Sequence, residues 1–143
     1  MIYKSYSPEE TEQIAFEFSK TLSGGQVITL DGDLGAGKTA FVRGIAVGLG
    51  ITDMVSSPTF TIVNEYRKGK IPLFHFDVYR ITSEEEMYDI GWDDYISQNA
   101  VVVVEWASNI EQLFSDDGII RIEITKDLSV SEDYRQITIK GTV

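Results

Sequence analysis

The chain contains no cysteine, which excludes disulfides and thiolate metal sites and removes any argument for an oxidising compartment. Long apolar runs are missing too: the longest, Ala100 to Val104, falls far short of the roughly 20 residues that a membrane-spanning helix needs. Met1-Ile2-Tyr3-Lys4-Ser5 lacks the apolar stretch of a secretory signal, so a cytoplasmic protein with no membrane partner is expected. Proline is scarce, at 3 residues, and no linker, repeat or low-complexity tract divides the chain. A length of 143 residues, 43% of them hydrophobic, suits one core, and a single domain over 1–143 is expected. Positive charge is short as well: 12 Lys+Arg against 23 Asp+Glu give a net charge of −11, which argues against strong direct binding to a nucleic-acid backbone.

What the chain does have is a complete G-x-x-x-x-G-K-[ST] segment, Gly32-Asp33-Leu34-Gly35-Ala36-Gly37-Lys38-Thr39. Its glycines let consecutive backbone N–H groups turn inward as an anion-binding nest. Lys38 would supply a cation for the β- and γ-phosphates, and the Thr39 hydroxyl would ligate Mg²⁺. Val27-Ile28-Thr29-Leu30 reads as a strand before the loop, and Phe41, Val42, Ile45 and Leu49 recur at helical spacing after it. The helix N-terminus adds partial positive charge at the phosphates. A glycine-rich turn that only connects two elements is the competing account. With both glycines, the Lys-Thr pair and the strand–helix context in register, a nucleoside triphosphate with Mg²⁺ is the expected ligand.

Around that loop the pattern predicts an α/β domain. Ser7-Pro8-Glu9-Glu10 opens a helix with Ile14, Ala15, Phe18 and Leu22 on one face, and Gly24-Gly25 stops it. The helix after the loop ends near Gly48-Leu49-Gly50. Phe60 to Arg67 and Ile71 to Tyr79 read as strands of a hairpin turned at Lys68-Gly69-Lys70. Ala100 to Val104 is apolar throughout, as suits a parallel strand covered on both faces. A brief helix over Asn109 to Phe114 follows. Ile119 to Thr125 and Tyr134 to Lys140 alternate apolar and polar residues and should pair through Lys126 to Asp133. The sum is a mixed, mainly parallel sheet flanked by helices, with antiparallel hairpins.

From Thr82 to Asp94 there are six acids and no base. The run reads as short helices with a solvated face or, with Met87, Tyr88, Ile90, Trp92 and Tyr95 interleaved, as a docking surface for a basic partner. Two other acids would complete a phosphate-loop site, because Mg²⁺ demands hard oxygen ligands. Glu105 ends the valine strand at the tip where ligands of open α/β sheets bind; a strand-end acid in water is the alternative. Asp77 alternates with Phe74, Phe76 and Val78 and shares a face with His75 and Tyr79. Its partner would be Mg²⁺-bound water, Thr39 or Arg80. His75, the one histidine, is either a hydrogen-bonded structural residue or part of a proton relay. Thr59, after Ser57-Pro58, sits on a joint that would close over a γ-phosphate, or on a plain turn. Trp106 reads more simply as a packing residue than as a base-stacking one.

Four motifs now stand in order: the phosphate loop, Ser57-Pro58-Thr59-Phe60-Thr61, His75-Phe76-Asp77-Val78-Tyr79-Arg80 and Val104-Glu105-Trp106. In them the chain resembles, over nearly its whole length, the TsaE (YjeE/YdiB) family, small P-loop ATPases of bacterial tRNA threonylcarbamoyladenosine synthesis. The resemblance implies phosphate contacts from Asp33, Leu34, Gly35, Ala36, Gly37 and Lys38, and Mg²⁺ ligation by Thr39 and Glu105. It makes Thr59 a switch threonine and Asp77 the acid of a second switch-like motif, so that Lys38, Asp77, Glu105 and Thr59 form the catalytic set. It also implies an adenine side built partly by the N-terminal segment, with Ser7 and Thr11 as the matching residues; the C-terminal strands diverge most from the family, and Arg135 there is a candidate for the phosphate side that the resemblance does not supply. Ala40 stands where many relatives carry a second threonine. The partners implied are the TsaD and TsaB subunits that transfer the threonylcarbamoyl group to the adenosine next to the anticodon.

Other classes fit less well. No D-x-x-G occurs, and Thr125-Lys126-Asp127 has the wrong spacing for guanine recognition, which argues against a GTPase. A small-molecule kinase shares the loop but generally brings several arginines to the transferred phosphate, whereas the 5 here are scattered at 43, 67, 80, 121 and 135. A nucleotide-sensing module that hydrolyses nothing is the third class.

Overall fold

The helix start at Ser7 forms as its residues dictate: in the computed structural model, which describes residues 1–33, 35–115 and 118–141, the Ser7 hydroxyl accepts the Glu10 N–H. Helix α1 (Pro8–Ser19) then runs between β1 (Ile2–Ser5) and β2 (Val27–Asp31). After α2 (Lys38–Gly48) come the hairpin β3 (Val63–Tyr66) and β4 (Leu73–Asp77), the short helices α3 (Glu84–Asp89) and α4 (Trp92–Ile96), and β5 (Val101–Glu105). A 3₁₀ helix (Ala107–Phe114) kinked at Ile110 leads to β6 (Ile120–Lys126) and β7 (Arg135–Lys140).

The strands form one sheet in the order β1-β7-β6-β2-β5-β4-β3. Its middle is parallel, β6-β2-β5-β4, and both sides are antiparallel. The expected α/β architecture is therefore present, and the tips of the parallel strands collect at one edge, where the phosphate-loop segment leaves β2. Each sheet face has its own core. Ile28, Leu30, Leu73, Val101 and Val103 meet α2 through Phe41, Val42 and Ile45. Phe74, Phe76, Val102 and Val104 meet Met87, Trp92 and Phe114. Phe76 is the hub of the second core, edge-on to Trp92 at 5.3 Å and to Tyr95 at 5.1 Å. Such pairs add roughly 0.5–1.5 kcal/mol each beyond area burial.

Helices α1 and α2 approach closely because α2 carries Gly44 and Gly48 one turn apart. A Cβ on Gly44 would stand 2.2 Å from the Glu12 carbonyl oxygen and 2.6 Å from Ala15 Cβ. At Gly48 it would collide with Ser19.

Several boundaries differ from the sequence expectation. The strand expected from Phe60 begins only at Val63, because residues 58–62 form a turn closed by the Thr61 and Ile62 N–H groups on the Pro58 carbonyl. The strand expected over Ile71 to Tyr79 is shorter, Leu73–Asp77. Helix α1 stops at Ser19 rather than at the glycine pair, with Leu22 still buried. Strand β1 was not expected; it exists because β7 offers it a free edge, a tertiary cause invisible to local pattern. In the acidic run, Met87 and Trp92 are buried, so they anchor the segment to the core and the acids form its wetter side.

Candidate functional site

Between β2 and α2 the chain takes the left-handed turns that only glycine adopts without strain, at Gly35 (φ 76°) and Gly37 (φ 97°). Gly32 is required for a different reason, since a Cβ there would lie 2.8 Å from the Ile124 carbonyl oxygen. Gly37 caps α2 without any side-chain hydrogen bond, which leaves the N–H groups of the first helical turn for a ligand. Asp33 and Gly35 are exposed, Ala36 is buried, Thr39 is half-buried on that first turn, and Leu34 lies outside the described residues.

Lys38 points into the fold rather than into water. Only 7% exposed, it places Nζ 3.4 Å from Glu105 Oε1 and 4.4 Å from the centroid of the Trp106 ring. Trp106 turns left-handed (φ 64°) directly after β5, and its ring also stacks edgewise on Tyr79 at 5.0 Å. Glu105 is 4% exposed, so the water-exposed alternative for this strand-end acid is overturned. Its second oxygen, Oε2, lies 2.5 Å from His75 Nε2. Burial alone would push the Glu105 carboxyl up, but the His75 hydrogen bond and the charges of His75 and Lys38 outweigh it. They hold the group below the usual carboxylate range, as an anion at neutral pH.

Asp77 is level with Glu105 on the neighbouring strand and equally buried, at 6% exposure. Oδ1 accepts the Tyr79 N–H at 3.0 Å and Oδ2 accepts the Thr59 hydroxyl at 3.4 Å. Thr59 in turn shares a hydrogen bond with Ser57 at 2.7 Å. Two expectations are corrected here. Arg80, offered as a partner for Asp77, lies instead over the Phe60 ring, 5.7 Å from its centroid. His75, offered as a relay partner of Asp77, bonds Glu105, because the parallel pairing of β4 and β5 brings the glutamate beside it.

The N-terminal segment does reach the loop. Ser7, Pro8 and Thr11 border, with Gly37, Ala40 and Arg135, a depression of about 40 Å³. Thr11 is buried and its hydroxyl shares a hydrogen bond with Ser5 at 2.8 Å. Arg135 fastens the loop from behind: Nε donates to the Ala36 carbonyl at 2.9 Å and Nη2 to the Gly35 carbonyl at 3.3 Å. Sequence spacing held no signal for that clamp, since the contact spans 99 residues. On the other side a polar cleft of about 550 Å³ is lined by Asp31, Asp33, Lys38, Trp106, Ser108 and Lys126, among others. Burial and the neighbouring Glu123 raise the Asp31 carboxyl. A larger, mainly apolar groove of about 740 Å³ lies at the far edge, between β1 and α1. None of its lining residues is a buried charge, whereas the smaller cleft is lined by the buried Lys38.

A glycine-rich loop joining a parallel strand to a helix, with its lysine aimed at a carboxylate on the next strand tip, defines a P-loop NTPase-like domain. The family model described as "Threonylcarbamoyl adenosine biosynthesis protein TsaE" matches residues 5–137. The tRNA threonylcarbamoyladenosine biosynthesis protein TsaE of Bacillus subtilis is 46% identical over 136 residues, 95% of this chain and 82% of its own length. The protein of the same name from Nostoc is 38% identical over 82% of this chain and 80% of its own. The crystal structure of Bacillus subtilis YdiB superposes with a TM-score of 0.81 at 38% identity, over 100% of this chain and 86% of that one. The chain belongs to the TsaE family. No helix among the described residues is long and apolar enough to cross a membrane.

Proposed function

We propose that this protein is a cytoplasmic, Mg²⁺-dependent ATPase that serves tRNA threonylcarbamoyladenosine synthesis by driving the cycle of a TsaD–TsaB-type transferase. The observation that carries the proposal is the buried contact of Lys38 with Glu105 beneath the phosphate loop. A buried lysine and a buried glutamate are costly to desolvate and weak as mere stabilisers. They make sense where a polyanion and a cation are to be received.

The residues fit such a pair of ligands. Glu105 is held as an anion, and Thr39 brings a hydroxyl on the turn that Lys38 begins. Mg²⁺ is usually held by one or two protein oxygens with waters and substrate phosphates completing its shell, and Thr39 and Glu105 suit that pattern. When bound, Mg²⁺ would offset charge developing on the transferred phosphoryl group. Thr39 and Glu105 would hold it. The N–H groups of residues 33, 35 and 37–39 would cradle the phosphates, while the Ala36 N–H closes the loop on the Asp33 carbonyl at 2.9 Å. Lys38, released from Glu105, would turn toward them and away from the Trp106 ring on which its ammonium lies. Asp77 would hold Thr59 beside the phosphate end through the bond it already makes. Ser7 and Thr11 would border the adenine side.

Kinase chemistry is disfavoured by the arginines. Four of the five are engaged, Arg67 with Glu65 and Gln98, Arg80 over Phe60, Arg121 with the Phe114 carbonyl and Arg135 with the loop carbonyls of Gly35 and Ala36, while Arg43 is exposed on α2 in a groove with Val47, Ile51 and Met54. An acidic protein is also suited to a basic surface on a partner complex rather than to tRNA itself. The deciding experiment is phosphate release from ATP and GTP with Mg²⁺, with and without TsaD–TsaB. Stimulated release from ATP is expected. Phosphate appearing instead on an added metabolite would assign a kinase, and nucleotide binding without any release would assign a sensing module.

A further inference from the structure

Strand β4 is buried at every position, and its neighbours Leu73, Phe74 and Phe76 are apolar. Packing alone would be served at position 75 by another apolar side chain. Instead His75 is fully buried with Nδ1 lacking any hydrogen-bond partner among the described residues. An unpaired buried nitrogen is a cost that a histidine kept for shape would not carry. Its use therefore lies in the other nitrogen, Nε2, 2.5 Å from Glu105 Oε2.

We propose that His75 is a positioning residue, whose Nε2–H fixes the Glu105 carboxylate so that Oε1 is left facing Lys38 and the phosphate loop. Nε2 carries that hydrogen whichever protonation state the ring adopts, because the carboxylate oxygen only accepts. The two partners of Glu105 differ in permanence. Lys38 sits on a long, flexible stem and is the group that phosphates would draw away. His75 stands on a strand whose parallel register with β5 is fixed over five residue pairs, Leu73↔Val101 to Asp77↔Glu105. The level neighbour Asp77 does not share the task, since its oxygens take the Tyr79 N–H and the Thr59 hydroxyl. Once Lys38 leaves, His75 is the contact that keeps the carboxylate from turning. Partners of this kind behind a metal-binding group typically change metal affinity or activity 10–100-fold. The assignment rests on the Mg²⁺–ATP site proposed for this protein.

The test uses the whole chain and a fluorescent ATP analogue, titrated first in EDTA, then with Mg²⁺ varied at saturating nucleotide, beside thermal melts. In His75→Leu, nucleotide affinity in EDTA should stay within about twofold of the parent while half-saturating Mg²⁺ rises about tenfold or more. His75→Gln, whose amide N–H reaches the same carboxylate, should recover to within about threefold. Should the Leu variant not fold, His75→Asn replaces it, polar but too short to reach Oε2, and should lose what Gln keeps. A folded Leu or Asn variant with parental Mg²⁺ dependence would overturn the positioning role. So would equal losses in Leu and Gln that track the melting temperature. Failure of the parent itself to bind the ATP analogue, or binding indifferent to Mg²⁺, would instead remove the nucleotide site on which the role depends.

Discussion

Strands β4 and β5 are buried to the same degree on both faces, yet the two faces carry opposite chemistry. One face offers Phe74, Phe76, Val102 and Val104 to a shell of aromatic and aliphatic side chains. The other, beginning with Leu73, Val101 and Val103, ends in His75, Asp77 and Glu105, the last paired with Lys38. On the first face burial is its own reward, since each apolar side chain gains by leaving water. On the second the same depth penalises every charge, and the cluster persists only because each carboxylate oxygen has a partner. Depth alone therefore does not separate core from site. The separating feature is charge carried where shape alone would not ask for it.

That contrast breaks in different ways when each face is altered. Lys38→Ala and Glu105→Ala should abolish ATP turnover while leaving a cooperative melt; parental phosphate release in a folded variant would remove that residue from the mechanism. Phe76→Ala, on the apolar face, should cost about 3–5 kcal/mol of stability in denaturant unfolding. Nucleotide affinity of its folded fraction should stay near parental, and a large change there would show that the two faces are not independent. Gly44→Ala should cost about 1–3 kcal/mol by forcing α1 from α2, with a neutral outcome meaning that the helices give way without strain. The subtlest effect concerns pH. The Glu105 carboxyl is depressed in the fold, so its contribution is complete above the unfolded value, about 4.3, and fades as pH falls through the folded one. The melting-temperature advantage of the parent over Glu105→Gln should accordingly narrow below about pH 4, and a constant gap from pH 7 to pH 3 would contradict it.

Much of this was legible in the amino-acid order. The phosphate loop declares itself because Gly35 and Gly37 occupy left-handed positions, and the order of loop, Thr59, Asp77 and Glu105 points to one family. The unbroken valines of β5 announced a strand covered on both sides, as found. What local pattern could not carry was adjacency. His75 and Glu105 are 30 residues apart and meet only because β4 and β5 pair in parallel; Arg135 reaches the loop across 99 residues. Strand β1 likewise owes its form to the edge of β7. Phe60 misled for a different reason: its β propensity is real, but the turn built on the Pro58 carbonyl leaves it 85% exposed.

The placement of Trp106 gives the molecule its own optical gauge. The chain has two tryptophans, and Trp92 is sealed in the aromatic core on the opposite face from Lys38. The indole of Trp106 lies against the Lys38 ammonium, a charge that perturbs its excited state. Any phosphate that draws the ammonium off the ring would change the emission of this one indole and leave the other silent, so that occupancy of the loop is read without a label.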